Sequence, residues 1–307
     1  MEGRTLDMYR CRARMAYAER VRYWRAPRIS RKRSDREAEP HARRSESPTA
    51  GFAGVVFDVD GVLVDSPHER AWRESLRRLM EGDWRDLAPH TRWTPEAFTH
   101  DFYQEVVAGK PRMAGARSAL ERLGVPHPGL RAQEYATDKQ RRVLELIEAS
   151  EFHAFPDALR FLLAVKHAGL RIASASSSRN ARPMLERIRL DRFAAEQDLH
   201  LPEVREGLTL LDAFDGDVTG REFPRGKPDP MIFLAAADEL GLPPARCVVV
   251  EDALSGVRAA KAGGMAAIGV ARQGGAEVLR DAGADLLVTG LDEVDVGALT
   301  EGRLERQ

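Results

Sequence analysis

Phe57-Asp58-Val59-Asp60-Gly61-Val62-Leu63-Val64-Asp65 ends a short apolar run with two carboxylates one residue apart and a glycine behind them. Residues 53–57 read as a buried strand, so Asp58 falls just past its carboxyl end, where open parallel sheets place their ligands. Gly61 lets the chain turn there. Positions i and i+2 of a strand share a face, which turns Asp58 and Asp60 toward one crevice, one as a nucleophile and the other as a proton donor. Taken alone, the segment is also compatible with a structural acidic turn.

Three later segments supply partners in order. Residues 170–175 form another apolar run, closed by Ser176-Ser177-Ser178-Arg179-Asn180 and followed by a helix predicted over 182–190. Hydroxyls and free backbone N–H groups at such a junction suit phosphate. Gly226-Lys227-Pro228-Asp229-Pro230 precedes a helix predicted over 231–240. The chain has 6 lysines against 41 arginines, so a lysine here stands out; its compact ammonium neutralises an oxyanion as a point charge. Residues 247–250 form a further strand, ending in Glu251-Asp252 before a helix predicted over 255–262. If Asp58, Asp60, Glu251 and Asp252 converge, each close pair repels by about 4 kcal/mol at roughly 4 Å and an effective dielectric near 20. A hard divalent cation relieves this, and oxygen ligands with a substrate phosphate suit Mg²⁺ better than zinc.

In order and spacing, Asp58-Val59-Asp60-Gly61-Val62, Ser176-Ser177, Gly226-Lys227-Pro228 and Glu251-Asp252 resemble the motifs of the haloacid dehalogenase superfamily. Within it the chain is most similar to the beta-phosphoglucomutase group and its sugar-phosphatase relatives, over roughly residues 52–295. The resemblance implies a doubly wound, Rossmann-like parallel α/β core with an inserted helical cap. It assigns Asp58 as the nucleophile that becomes an aspartyl phosphate and Asp60 as general acid/base. Ser176, the Ser177 amide and Lys227 would hold the transferring phosphoryl group. Mg²⁺ would sit on Asp58, the Asp60 carbonyl and Asp252, with Glu251 nearby.

The segment between the first two motifs reads as helices over 68–80, 94–107, 114–123 and 131–149, by apolar spacing and Gly/Pro punctuation. In the resembling group this is the cap that closes over the sugar. There His68 matches the cap-entry segment, Arg112 of Gly109-Lys110-Pro111-Arg112 the phosphate-contacting turn, Lys139-Gln140 a substrate-facing pair, and Arg179-Asn180 a pair after the serine loop. Met113-Ala114-Gly115-Ala116 reads as a longer turn than the group carries. The connection over 196–225, with Asp212, Asp215 and Asp217, reads as a short helix and hairpin at the site's edge. Domain bounds follow: a leader over 1–50, a core over 51–66 and 152–307, and a cap over 67–151.

With 307 residues, 43% hydrophobic and 31% charged, the chain can bury a core domain plus its insertion, and alternating strands and helices argue for α/β. Two cysteines, Cys11 and Cys247, give no disulfide framework, so a reducing cytoplasm is the simplest setting. There is no membrane-length apolar run, Walker loop, dinucleotide fingerprint or H-E-x-x-H. Residues 1–50 differ in kind, with 14 Lys+Arg against 7 Asp+Glu. They are expected as a flexible arm or an upstream start; a nucleic-acid or membrane-surface contact through Tyr9, Tyr17, Tyr23 and Trp24 is the sharper alternative. Three functions are weighed. The first is a Mg²⁺-dependent mutase taking beta-glucose 1-phosphate to glucose 6-phosphate through glucose 1,6-bisphosphate. The second is a phosphatase of a sugar or polyol phosphate. The third is a regulator whose body senses a phosphorylated ligand while its basic leader recruits nucleic acid. The expected partner is a small phosphorylated sugar, with no membrane or nucleic-acid partner for the body, which is expected as a monomer.

Overall fold

The computed structural model describes residues 51–108, 110–272 and 274–307. The leader over 1–50, and the readings made of it, lie outside the described residues. In chain order the elements are β1 (Gly54–Phe57), β2 (Val64–Asp65), α1 (His68–Glu81), α2 (His100–Val106), α3 (Arg112–Arg122), α4 (Pro128–Glu148), β3 (His153–Ala154), α5 (Pro156–His167), β4 (Arg171–Ser174), α6 (Ala181–Arg187), α7 (Leu190–Glu196), α8 (Leu210–Ala213), β5 (Gly216–Asp217), α9 (Met231–Glu239), β6 (Cys247–Glu251), α10 (Leu254–Ala262), β7 (Ala266–Val270), α11 (Ala276–Asp281), β8 (Leu286–Val288) and α12 (Val296–Thr300).

Six strands form one parallel sheet in the order β5-β4-β1-β6-β7-β8. The chain steps outward from β1 to β4 and β5, then returns to build β6, β7 and β8 on the other side. The end of β1 is therefore the switch point of the sheet, where a crevice opens beyond the strand ends. In-register pairing brings three strand ends together there, with Phe57 opposite both Ser174 and Val250.

The strands are buried on both faces, which is why they read as unbroken apolar runs. Val55, Phe57, Val248 and Val250 face one side with Phe161, Leu162, Met184 and Leu299, while Val56, Ala173 and Val249 face the other with Phe233, Val257 and Ala260. That alternation sandwiches the sheet between two helical layers. Residues of α1, α3 and α4 form a separate apolar core around Trp72, Leu76, Leu79, Leu120 and Tyr135. Trp72 and Tyr135 meet edge to face at 4.9 Å, and the Tyr135 hydroxyl donates to the Trp72 carbonyl at 2.8 Å. Such a pair and such a bond each contribute about 1 kcal/mol. No helix among the described residues is long and apolar enough to cross a membrane.

Several expected elements need correction. The helix expected over 94–107 starts only at His100, because the Thr99 side chain caps it by accepting from the Phe102 N–H at 3.1 Å. Met113 to Ala116 lie inside α3 rather than in a longer turn. Gly115 permits this: a β-carbon there would lie 3.2 Å from Val107 and 3.7 Å from Trp72, so the bare backbone lets α3 pack closely. The helix expected over 182–190 stops at Arg187, since the Ile188 carbonyl accepts from the Leu210 N–H and Arg189 bridges Thr209. Within 196–225 the short helix is α8, with a capping box between Thr209 and Asp212, but the hairpin is absent. Instead Gly216 and Asp217 form β5, which joins β4 in parallel.

Candidate active site

Asp58 follows β1 directly and is anchored by its N–H to the Val250 carbonyl at 3.0 Å. Lys227 reaches across from the loop before α9. Its Nζ donates to Asp58 Oδ1 at 2.6 Å and to Glu251 Oε1, and it lies 4.8 Å from the Phe233 ring centroid. Burial opposes the lysine charge, but Asp58 and Glu251 outweigh it and raise the Lys227 value above its ordinary one. Burial lifts the Asp58 carboxyl from 3.8 to about 7; Lys227 holds it down, while Glu251 and Asp60 push it up.

Glu251 is 1% exposed, and its second oxygen accepts the Ala253 N–H at 2.9 Å. Both of its oxygens are thus committed, one of them to holding Lys227. Gly256, on the first turn of α10, leaves room for that carboxylate; any β-carbon there would overlap it. Gly61 does the same for Asp252 and also adopts φ +85°, so a side chain at 61 is excluded twice over. Asp252 still reaches solvent. Confinement in the crevice, then the charges of Glu251 and Asp58, nevertheless push its carboxyl well above the ordinary value.

Asp60 stands opposite. Its Oδ2 accepts from Ser176 Oγ at 3.2 Å, and Ser176 Oγ in turn accepts the Ser178 N–H at 3.0 Å. Asp60 Oδ1 is buried with no hydrogen-bond partner, and His68 Nε2 is 3.7 Å away. A buried unpaired carboxylate oxygen at a site edge is an acceptor or proton carrier waiting for a ligand group. His68 opens α1, places Nε2 3.1 Å from Ser178 Oγ, and has Lys139 Nζ 3.3 Å from Nδ1. Lysine only donates, so Nδ1 is the acceptor and the proton sits on Nε2. Burial, reinforced by Lys139 and opposed by Asp60, lowers His68 from 6.5 to about 4, and the ring is neutral. Lys139 is itself buried, 5.1 Å from the Trp72 ring centroid; burial lowers it from 10.5 to about 8.

Of the expected site residues, the structure gathers Asp58, Asp60, Ser176, Lys227, Glu251 and Asp252 at the strand ends, with His68 and Lys139 brought in from the cap. Arg112 donates to Gln140 Oε1, and Gln140 Nε2 donates to Asn180 Oδ1 at 2.8 Å, so a cap arginine is tied through one amide to the core. Ser177 is exposed, with no side-chain bond of its own. Arg179 turns outward, 75% exposed, and pairs with Glu222. Sequence reasoning missed Gln140 as the link between Arg112 and Asn180. It also missed Tyr103 on α2, which is raised above its ordinary value first by burial and then by the charges of Asp60, Glu69 and Asp252.

No three His, Cys, Asp or Glu side chains among the described residues converge as a metal cluster. The crevice does offer the hard carboxylate oxygens of Asp58 and Asp252, and it crowds the two so that both carboxyls are raised. That donor set fits a hard divalent cation that takes its remaining ligands from water and substrate.

Fold and site together are those of an α/β enzyme with carboxylates at its working end. A family model for haloacid dehalogenase-like hydrolases matches residues 52–264. The beta-phosphoglucomutase of Mycobacterium bovis is 34% identical over 255 residues, spanning 78% of this chain and 90% of that protein. Hexitol phosphatase A of Escherichia coli is 31% identical over 248 residues, spanning 79% of this chain and 93% of that one. The crystal structure of an archaeal beta-phosphoglucomutase from Pyrococcus sp. strain ST 04 superposes with a TM-score of 0.60 at 32% identity, covering 80% of this chain and 96% of that one. The chain belongs to the haloacid dehalogenase-like hydrolase family.

Proposed function

We propose that the chain transfers phosphoryl groups on a small sugar phosphate through an aspartyl phosphate at Asp58, and that its reaction is the conversion of beta-glucose 1-phosphate to glucose 6-phosphate. The observation that carries the reading is that Asp58, bonded to Lys227, shares the end of β1 with Asp60, one of whose oxygens is buried without a hydrogen-bond partner. An Asp58 oxygen attacks phosphorus as the ester P–O bond breaks, and Asp60 gives its proton to the departing sugar oxygen. Lys227, Ser176 Oγ and the Ser177 N–H would hold the phosphoryl oxygens, since this chemistry needs positioning and charge neutralisation above all. In the second half Asp60 takes a proton from the accepting hydroxyl, which attacks the phosphorus while the bond to Asp58 breaks. Mg²⁺, held by Asp58, the Asp60 carbonyl and Asp252, would supply further neutralisation of charge; Glu251 would serve it only through Lys227.

Arg112, Lys139 and Asn180 would receive the sugar and its second phosphate, with Arg179 at the outer edge. The mutase is preferred because cap and core already touch beside Asp60, through Gln140 with Asn180 and His68 with Ser178. Such closure shields an aspartyl phosphate from water. Hydrolysis of a sugar or polyol phosphate is the second reading, supported by the 31% identical hexitol phosphatase. The test is purified protein with Mg²⁺, beta-glucose 1-phosphate and a trace of glucose 1,6-bisphosphate, following glucose 6-phosphate and inorganic phosphate together. Glucose 6-phosphate as main product is expected. Phosphate as main product transfers the reading to the phosphatase, and neither, across a panel of sugar phosphates, refutes both.

A further inference from the structure

Arg272 lies just beyond β7, outside every motif singled out above, yet its side chain is only 15% exposed and all three nitrogens of its guanidinium donate hydrogen bonds. Nε donates to the Gly61 carbonyl at 3.3 Å and Nη2 to the Val62 carbonyl at 3.1 Å. Nη1 donates to both oxygens of Asp157, at 3.0 and 2.8 Å. The flat group lies 4.0 Å from the Phe155 ring centroid. Asp157 is fixed in turn by the Leu291 N–H at 2.7 Å.

These contacts converge on both strands of chain that connect cap and core. The outgoing strand follows Asp60 and the returning one is β3; they pair as β2 with β3, and the Phe155 N–H bonds the Leu63 carbonyl at 3.0 Å. Gly61 has the freest backbone in this junction and sits next to the proposed acid/base. Its N–H is held by the Val64 carbonyl at 2.9 Å, and its C=O by Arg272. A planar fork with several donors can serve two carbonyls and a carboxylate at once, which a lysine ammonium on a flexible stem cannot.

We propose that Arg272 is a positioning residue that, with Asp157 and Phe155, pins the two cap linkers as one fixed pivot and thereby holds Asp60 in line with the departing oxygen. This inference rests on the phosphoryl-transfer reading of the site and adds to it a residue that touches neither phosphorus nor sugar. If Arg272 acts through Asp60, its loss affects esters that need a proton for departure. A sugar alkoxide needs one, whereas p-nitrophenolate leaves without it.

The experiment compares parent, Arg272→Lys and Asp157→Asn on beta-glucose 1-phosphate in steady state and on p-nitrophenyl phosphate by the initial burst rate of p-nitrophenolate, which reports attack by Asp58 alone and not the later half in which Asp60 acts as base, with Asp60→Asn as the benchmark. Proton donation by a placed side chain is typically worth about 10²- to 10⁴-fold, so Arg272→Lys should lose at least about 10-fold more on the sugar ester than on the aryl ester. On the sugar ester kcat should fall with KM within about twofold of the parent. Asp157→Asn should shift the ratio the same way, by less. A fall in the folded fraction lowers both esters alike and leaves the ratio untouched. Equal losses on the two esters, or parent kcat in Arg272→Lys, overturn the inference and leave the phosphoryl-transfer reading standing. A parent protein that turns over neither ester refutes that reading and the inference with it.

Discussion

Replacing Lys227 with methionine removes the cation that Asp58 and Glu251 share while keeping a side chain of similar length against Phe233. The three side chains are 13%, 9% and 1% exposed, so water cannot replace the lost charge. Removing one partner of a buried ion pair costs about 3–5 kcal/mol, because the remaining charges stay buried without compensation. The cost also depends on pH. The folded Asp58 value is raised from 3.8 to about 7, so between these values the folded chain holds a proton that the unfolded chain releases. Stability therefore falls as pH rises through that window, and since Lys227 opposes the rise, its loss carries the fall on to higher pH. Urea unfolding with a chelator present, followed by circular dichroism, should show Lys227→Met less stable than the parent by about 3–5 kcal/mol near pH 8 and by clearly less near pH 5.5. A variant within about 1 kcal/mol of the parent near pH 8, or a deficit that does not shrink on acidification, would refute the reasoning.

Gly256→Ala forces a β-carbon into the Glu251 carboxylate, so overpacking should cost about 1–3 kcal/mol and lower turnover by displacing Lys227; parent-like melting and rate would contradict it. Burial tends to raise the Asp138 carboxyl, but hydrogen bonds from Arg78 and Arg141 outweigh burial and hold it below 3.8. Its contribution is present above the unfolded value and lost as pH falls through the lowered one, so Asp138→Asn should flatten the acid side of the stability curve, read from urea midpoints. Gln140→Ala cuts the tie between Arg112 and Asn180 and should raise the share of inorganic phosphate among the products several-fold, measured by the two-product assay; an unchanged share would separate the cap contact from water exclusion.

The strands and their terminal residues were legible in the sequence because the signal is local: an apolar run buried on both faces announces its own end, and Asp58, Ser176 and Glu251 each follow such a run. The cap helices were legible in number, but their starts depended on Thr99 as a cap and on Gly115 as a close approach, neither of which apolar spacing reveals. Asp217 was visible as an acid in a long connection, but its place in the sheet was not, since a two-residue strand has no periodicity. Glu251 was read as an oxygen near a metal, whereas its two oxygens go to Lys227 and the Ala253 N–H, partners set by the folded geometry of α10 and the lysine loop. Arg272 carries no signal in a chain with 41 arginines; only its carbonyl partners set it apart.

The nucleophile is tested most directly by acid-quenching the enzyme during turnover of a sugar phosphate with Mg²⁺ and mapping the phosphorylated peptide by mass spectrometry. A hydroxylamine-sensitive phosphoryl group on the peptide carrying Asp58, absent from an inactive Asp58→Asn variant, is the expected result. Label on another side chain, or Asp58→Asn that retains substantial turnover, would contradict the account.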